Sequence, residues 1–338
     1  MSPSRTVGYF VLTALVGMAL WRALGRGSPV EVEATRPCMG TLVRVKVFAP
    51  DTSRGWTAIE EAFAEISRIE AAMAATGAGE LARINGEAGS GWVSLSDGLA
   101  AVIQRSLHFS RATGGAFDIT IGPVEALWGF SSDKLGVPSA EAIASKLSWV
   151  GYQNLEIEGK RLRLKSGMKL NLGGAAKGYA VDRAVQILSS NEIESALVEA
   201  GGDIRFIGTK PGGRAWRIAV QHPRHKDRLI LINELGLPAV ATSGDYERFF
   251  EREGIRYHHI LDPETGRPAS TTVSTTVWAS TTLDADILST AVFVMGPERG
   301  MDWIERTEGT EALIFFQEEG TLRHRMSNGL KGKLSFEK

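Results

Sequence analysis

Cysteine is almost missing from this 338-residue chain. Cys38 stands alone, which excludes both an internal disulfide framework and a multi-cysteine metal centre. An excess of either charge is missing too. Lys and Arg number 38 against 39 Asp and Glu, a formal net charge of -1, so the basic balance of a nucleic-acid binder is absent and neither DNA nor RNA is an expected partner. Internal repeats and low-complexity tracts are lacking, which excludes solenoids and arrays. No polar linker is long enough to force a domain cut. What is present, 43% hydrophobic and 23% charged residues, suffices for a large buried core.

Long apolar runs are also lacking, with one exception. Arg5 precedes VGYFVLTALVGMAL (residues 7–20), followed by Trp21, Arg22 and a polar GRGSP. The run has the length of a signal-peptide hydrophobic region, and extending it to Leu24 places Arg22 inside it. Ala23 and Gly25 put small residues where a signal peptidase reads them. Residues 1–27 are therefore expected to be a signal peptide or a membrane anchor, and residues 28–338 the folded domain. Removing residues 1–25 deletes Arg5 and Arg22 and no acid, leaving a mildly acidic remainder.

Two periodicities alternate along the rest. In TLVRVKVF (residues 41–48) Val43, Val45 and Val47 alternate with Arg44 and Lys46, the period of a half-buried strand. Over residues 56–76, Ile59, Phe63, Ile66, Ile69 and Met73 recur at helical spacing, which predicts an amphipathic helix of about five turns. Further helices are expected at residues 98–113, 178–189 and 284–295. Strands are expected at residues 162–164, 169–172, 196–199, 216–221, 229–232, 273–279 and 312–316. Many close strands with few βαβ spacings predict an α+β architecture with largely antiparallel sheets packed against helices.

Several stretches look unusual for structure alone. LNLGGAAKGYAVDRAVQIL (residues 170–188) delivers an apolar segment into a helix through two glycines, two alanines and Lys177. A helix N-terminus carries free N–H groups and partial positive charge, and glycines let a phosphate approach them. The same pattern equally serves close packing of helix and strand. It is neither a P-loop nor a Rossmann fingerprint, and the loose GxGxxA at residues 77–82 follows a helix where that motif requires a strand. AGGDIR (residues 200–205) and ATSGDYER (residues 241–248) set glycines beside acids at bends. His258 and His259 lie on opposite faces of an extended chain, so one of them at most faces a given site. Asp286 and Thr290, four apart on a helix, are hard oxygen donors suited to Mg²⁺ and poor for zinc.

Taken in order, MGT (39–41), GAFDITIGP (115–123), LWGF (127–130), LNLGGAAKGYAVD (170–182), GGDIR (201–205), SGDYER (243–248), HHILDPETGRP (258–268) and DADILSTA (284–291) resemble the ApbE family of flavin transferases from residue 36 to about 330. The resemblance implies a T-fold-related architecture and an exported, periplasmic enzyme, cleaved from its leader or anchored to the inner membrane. It implies Mg²⁺-dependent cleavage of FAD as substrate, transfer of FMN through its phosphate to a Thr or Ser of an acceptor, and release of AMP. The acceptor implied carries a D-x-x-[S/T]-G-A-[S/T]-like site and is a subunit of a membrane redox complex. By position, the resemblance implies that Gly174 (through its carbonyl), Asp286 and Thr290 hold the metal. Met39, Ala116, Phe117, Asp118, Asn171, Lys177 and His259 would hold the flavin nucleotide. His259, whose ordinary pKa suits proton transfer near neutrality, and Asp286 would be catalytic.

Two positions depart from the family pattern. Residues 73–85, MAATGAGELARIN, carry no aromatic where the family places one against the flavin ring, a loss of about 1 kcal/mol of stacking. Asn171 stands where an aspartate is common. His108, His222, His225 and His324 match nothing and are expected to be solvated or core residues, and LWGF and Trp303 to be core or groove wall. Two rival readings are an exported FAD-binding protein that stores or delivers flavin, and an FAD pyrophosphatase giving FMN and AMP. Asp286, Thr290 and the Gly-Gly turn favour chemistry over storage.

Overall fold

The valines that alternate along residues 41–48 are completely buried, while Arg44 pairs with Glu199 and Lys46 with Glu31 and Glu33. The computed structural model describes residues 28–130, 134–232 and 235–337. The expected signal peptide or anchor at residues 1–27 lies outside them. The chain runs through β1 (Val30–Cys38), β2 (Thr41–Ala49), α1 (Thr52–Met73), α2 (Glu80–Gly86), β3 (Trp92–Ser94), α3 (Asp97–Ala112), α4 (Gly122–Trp128) and α5 (Ala140–Leu147). Then come β4 (Glu156–Glu158), β5 (Arg161–Arg163), α6 (Ala176–Ser190), β6 (Ser195–Ala200), β7 (Asp203–Ile207), β8 (Ile218–His222), β9 (His225–Ile232) and β10 (Ala239–Gly244). It closes with β11 (Phe249–Arg252), β12 (Ile255–His258), β13 (Thr272–Ala279), α7 (Thr282–Met295), α8 (Pro297–Glu305), β14 (Glu311–Glu318), β15 (Thr321–Met326) and β16 (Leu334–Glu337).

An eight-stranded sheet in the order β1-β2-β6-β7-β10-β13-β14-β15, antiparallel at every pairing, organises the molecule. This is the α+β class expected from the patterning. One face carries α1, α6 and α7. The other is covered at its β10-β13-β14 side by the small sheet β16-β9-β8. The two faces are read directly from β14, where Ala312 and Ile314 join the helical core and Leu313 and Phe315 join the second core with Ile218, Val220, Ile230 and Ile232. Cover on both faces explains why all eight residues of β13 are buried.

The amphipathic reading of α1 holds: Ile59, Phe63, Ile66, Ile69 and Met73 are buried, and the helix packs on α6 and the β1-β2 hairpin. Asp51 caps it, its carboxylate accepting from Arg54 N. Residues 169–172, expected as a strand, are not one. Lys169 forms an isolated bridge to Ile121, and the buried Asn85 side chain takes both backbone groups of Leu170, at 2.7 and 2.9 Å. A side-chain amide replaces the missing neighbour strand, so an apolar run without a ladder still has its polar groups satisfied.

Candidate active site

Two chain turns meet at one end of the large sheet, because the register pairs Cys38 with Thr41, Val43 with Ala200, and Ala200 with Asp203. Met39-Gly40 and Gly201-Gly202 are two-residue hairpin turns with positive φ throughout, +54° and +70° in the first and +54° and +92° in the second. A Cβ on Gly201 would lie 2.7 Å from Thr41 Oγ1, so the two turns touch. Met39 has no glycine's freedom, and its left-handed backbone stores on the order of 1 kcal/mol. Glu70 helps hold it there, Oε1 accepting from Met39 N at 2.7 Å.

Beside these turns lies the N-terminus of α6. Gly178 is needed here for closeness: a Cβ on it would sit 2.4 Å from the Thr282 carbonyl oxygen and 2.8 Å from Asp286 Cβ. That contact brings α7 against α6, and Asp182 fixes the alignment. Its two oxygens accept from Thr282 N and Leu283 N, both at 2.9 Å, and from the Arg205 guanidinium, closing off the start of α7. Arg105 grips Asp284 in two bonds of 2.6 and 2.8 Å, tying α3 to the same turn.

So placed, Asp286 presents its carboxylate to the glycine-rich segment. Gly178 N donates to Oδ2 at 3.0 Å, and Lys177 Nζ lies 3.3 Å from Oδ1 and 2.7 Å from Asp203 Oδ2. Burial alone would lower the lysine's pKa, but the two carboxylates more than reverse this and hold it protonated. Burial, then the facing Asp286 charge, raises the Asp203 carboxyl well above the usual range. One turn on, Thr290 Oγ1 donates to the Asp286 carbonyl at 3.3 Å and lies 3.2 Å from Ser243 Oγ, which is 2.8 Å from Ser289 Oγ. A Cβ on Gly174 would be 3.1 Å from both Thr290 Oγ1 and the Phe117 ring, so the main chain at Gly174 abuts Thr290. The Asp286 carboxylate and the Thr290 hydroxyl, beside a main chain without Cβ, are of a type that fits a hard cation; among the described residues no group of three or more His, Cys, Asp or Glu is placed to hold a metal ion.

The other expected ligand residues fall into two groups. Phe117 and Asn171 border the Gly173-Gly174 turn, Asn171 Oδ1 accepting from Gly173 N at 2.7 Å. Ala116, half-buried, precedes them. The Asp118 carboxylate is engaged within the chain. Oδ1 accepts from Thr120 N and Thr120 Oγ1 at 2.8 and 2.7 Å, and Oδ2 from Tyr152 N at 2.8 Å. Burial raises its pKa against those bonds, and its visible work is to lock the loop behind Phe117.

The two histidines divide as the alternation requires. His258 is buried against Phe293 and donates from Nε2 to the Ala269 carbonyl at 2.8 Å. His259 is half-buried, and its backbone N–H and ring Nδ1 both donate to the Arg248 carbonyl, at 3.1 and 3.2 Å. That tautomer leaves Nε2 as an acceptor. Burial first, then the Arg248 guanidinium, pulls the imidazole down to about 4, well below the ordinary value expected from sequence. The charge of Lys177 contributes, so the two groups share one electrostatic neighbourhood. The Arg248 side chain reaches the Met39-Gly40 turn, where a Cβ on Gly40 would meet Nη2 at 3.0 Å.

Asp203, Ser243 and Arg248 were not singled out from sequence as site residues, although GGDIR and SGDYER contain them. The double glycine before Asp203 was the available signal. Of the unmatched histidines, the His222 and His225 rings contact each other at 4.8 Å with a 48° tilt, and His222 and His324 flank Phe315. Trp128 is fully buried, donating to the Gly266 carbonyl at 2.9 Å, and Trp303 donates to the Ala112 carbonyl at 3.1 Å.

A half-buried lysine, the positive end of a helix and hard oxygen donors, gathered where antiparallel strands turn, are suited to a phosphate-bearing ligand and its counter-cation. Comparison with known proteins makes the class specific. The signature of the ApbE family matches residues 39–314, and the chain belongs to that family. It is 34% identical to the FAD:protein FMN transferase of Treponema pallidum over 90% of this chain and 89% of that protein. Among solved structures, the ApbE protein of Thermotoga maritima superposes with a TM-score of 0.81 at 38% identity, covering 90% of this chain and 99% of that one. The flavinyl transferase ApbE of Pseudomonas stutzeri in its apo form gives 0.81 at 31% identity, covering 91% and 98%.

Proposed function

We propose that this ApbE-family transferase splits the pyrophosphate of FAD and moves FMN onto a Thr or Ser hydroxyl of an acceptor protein, releasing AMP. The observation that carries the reading is the convergence of Asp286, Thr290 and the Gly174 main chain beside Lys177, at a helix N-terminus next to the turns that hold Met39 and Phe117. In the reaction the acceptor oxygen forms a bond to the FMN phosphorus, the bond to the bridging oxygen breaks, and AMP leaves with that oxygen. The acceptor's proton goes to His259 Nε2. This nitrogen is unprotonated at neutral pH because the imidazole titrates at about 4 and its Nδ1–H is already donated to Arg248. Pyrophosphate binding nearby would raise that value, making the imidazole a better base once substrate is present. Lys177 and the positive end of the α6 dipole attract and orient the anion, and Met39, Phe117 and Asn171 border the nucleotide. Bound Mg²⁺ at Gly174, Asp286 and Thr290 would supply neutralisation of phosphate charge.

The acceptor is a D-x-x-[S/T]-G-A-[S/T]-bearing subunit of a membrane redox complex, and the enzyme works exported, in the periplasm, with residues 1–27 as leader or inner-membrane anchor. Among the described residues no helix is long and apolar enough to cross a membrane, so anchoring would fall to that segment. Incubating the protein with FAD, Mg²⁺ and an acceptor carrying that motif tests the reaction. An acceptor heavier by one FMN phosphoryl unit, with stoichiometric AMP, is expected. Free FMN with an unmodified acceptor would instead identify a pyrophosphatase, and unaltered FAD a binding protein.

A further inference from the structure

The Lys177 cluster contains one more carboxylate than the cation site uses. Asp203, at the start of β7, is 0% exposed, and its Oδ1 has no hydrogen-bond partner among the described residues. Its Oδ2 holds Lys177 Nζ at 2.7 Å, whereas Asp286 Oδ1 holds the same ammonium at a looser 3.3 Å. Asp286 Oδ2 is engaged by Gly178 N, so Oδ1 is the oxygen left for a ligand, and Lys177 is its competitor. An ammonium and a divalent cation repel at such range in a site this buried, and one carboxylate oxygen cannot serve both closely.

We propose that Asp203 is a positioning residue: it draws the Lys177 ammonium off Asp286, leaving Asp286 Oδ1 open to a divalent cation. The inference rests on the reading of Gly174, Asp286 and Thr290 as the cation site. It explains why a fully buried carboxylate is placed beside another with a single lysine between them, an arrangement that desolvates two carboxylates against one ammonium. Asp203 does not touch the reacting atoms in this view; it acts through Lys177.

The test is direct binding of Mn²⁺ alone to the purified protein, followed by the electron paramagnetic resonance of the free ion, without FAD or acceptor. Wild type should bind Mn²⁺ and Asp286→Ala should not. Asp203→Asn leaves Lys177 with only Asp286 as carboxylate partner, and Mn²⁺ affinity should fall about 10- to 100-fold. Adding Lys177→Met to Asp203→Asn should restore most of that loss, because the competitor is gone. Lys177→Met alone should bind at least as tightly as wild type, which keeps the idea testable if Asp203→Asn folds poorly in a thermal melt. Wild-type affinity in Asp203→Asn would reduce Asp203 to a structural role. No recovery in the double variant would make Asp203 a ligand itself, and weaker binding in Lys177→Met would remove the competition; each overturns the proposal. Equal binding by wild type and Asp286→Ala would instead move the cation site elsewhere and take the underlying reading with it.

Discussion

Two carboxylate clusters tie α6 to its neighbours, and they are finished to different degrees. In the first, Asp182 accepts from two backbone N–H groups at the start of α7 and from Arg205, so both of its oxygens are engaged inside the protein. In the second, only five residues along the same helix, Lys177 is shared unequally by Asp203 and Asp286, and an Asp203 oxygen has no partner among the described residues. Buried polar atoms are nearly always paired, yet Arg205 Nε in the first cluster also has no partner among the described residues, so what separates the clusters is the Asp286 oxygen that Lys177 holds only loosely. The Asp182 cluster is built to hold two helices in register. The Lys177 cluster is built to be completed by a ligand.

Removing a member from each cluster should separate these roles. Asp286→Ala is expected to have the largest effect, lowering transfer about 10²- to 10³-fold, the scale of losing one electrostatic clamp on developing phosphate charge. Its melting temperature should hold or rise, since Asp203 and Lys177 remain as a balanced pair; acceptor mass against time, with a thermal melt, measures both. A melt that falls with activity would put Asp286 in the structural class beside Asp182.

His259→Asn should come next, slowing transfer by about 10²-fold and weakening FAD binding by much less. Because the neutral imidazole is the reacting form, wild-type kcat/KM should rise with pH through about 4 and stay level above it, and the variant should lose that acid limb. A limb centred near the ordinary histidine value would mean that the free enzyme leaves His259 more open than this structure shows.

On the structural side, Asp182→Ala strands two N–H donors and Arg205. It should cost about 2–3 kcal/mol in denaturant unfolding, with kcat kept wherever the protein remains folded. Thr281→Ala, which removes the side-chain cap accepting from Asp284 N at 3.1 Å, should be the mildest. It is expected to cost about 0.5–1 kcal/mol with no change in kcat, because Asp182 still covers the adjacent N–H groups.

Much of the scaffold was legible in the residues. Val43, Val45 and Val47 alternated as a strand must, and the stripe from Ile59 to Met73 repeated as a helix must, because one-sided burial imposes those periods. The helices at residues 178–189 and 284–295 were placed within two residues of their observed starts. The short elements β10, β12, β15 and β16 were not read, since four to six residues give too few repeats to distinguish a period, and the nine-residue β1 was not read either. Residues 169–172 misled for a different reason: an apolar run looks the same whether a strand or the Asn85 side chain satisfies its backbone. Within the site, the order of motifs pointed to Lys177, Asp286 and Thr290. It did not show that the Asp118 carboxylate is bound by its own loop, nor that His259 titrates near 4.

Local chemistry thus settled in the sequence what depends on neighbours along the chain: periodicity, turn-forming glycines, hard oxygen donors one helical turn apart, and the absence of disulfide or multi-cysteine metal chemistry. Tertiary structure alone decided what depends on neighbours across space. Lys177 meets Asp203 and Asp286 because a missing Cβ at Gly178 lets two helices close and the sheet register brings a distant turn beside them. The proton affinities of that cluster and of His259 follow from burial and from charges that lie far away along the chain but close in the fold.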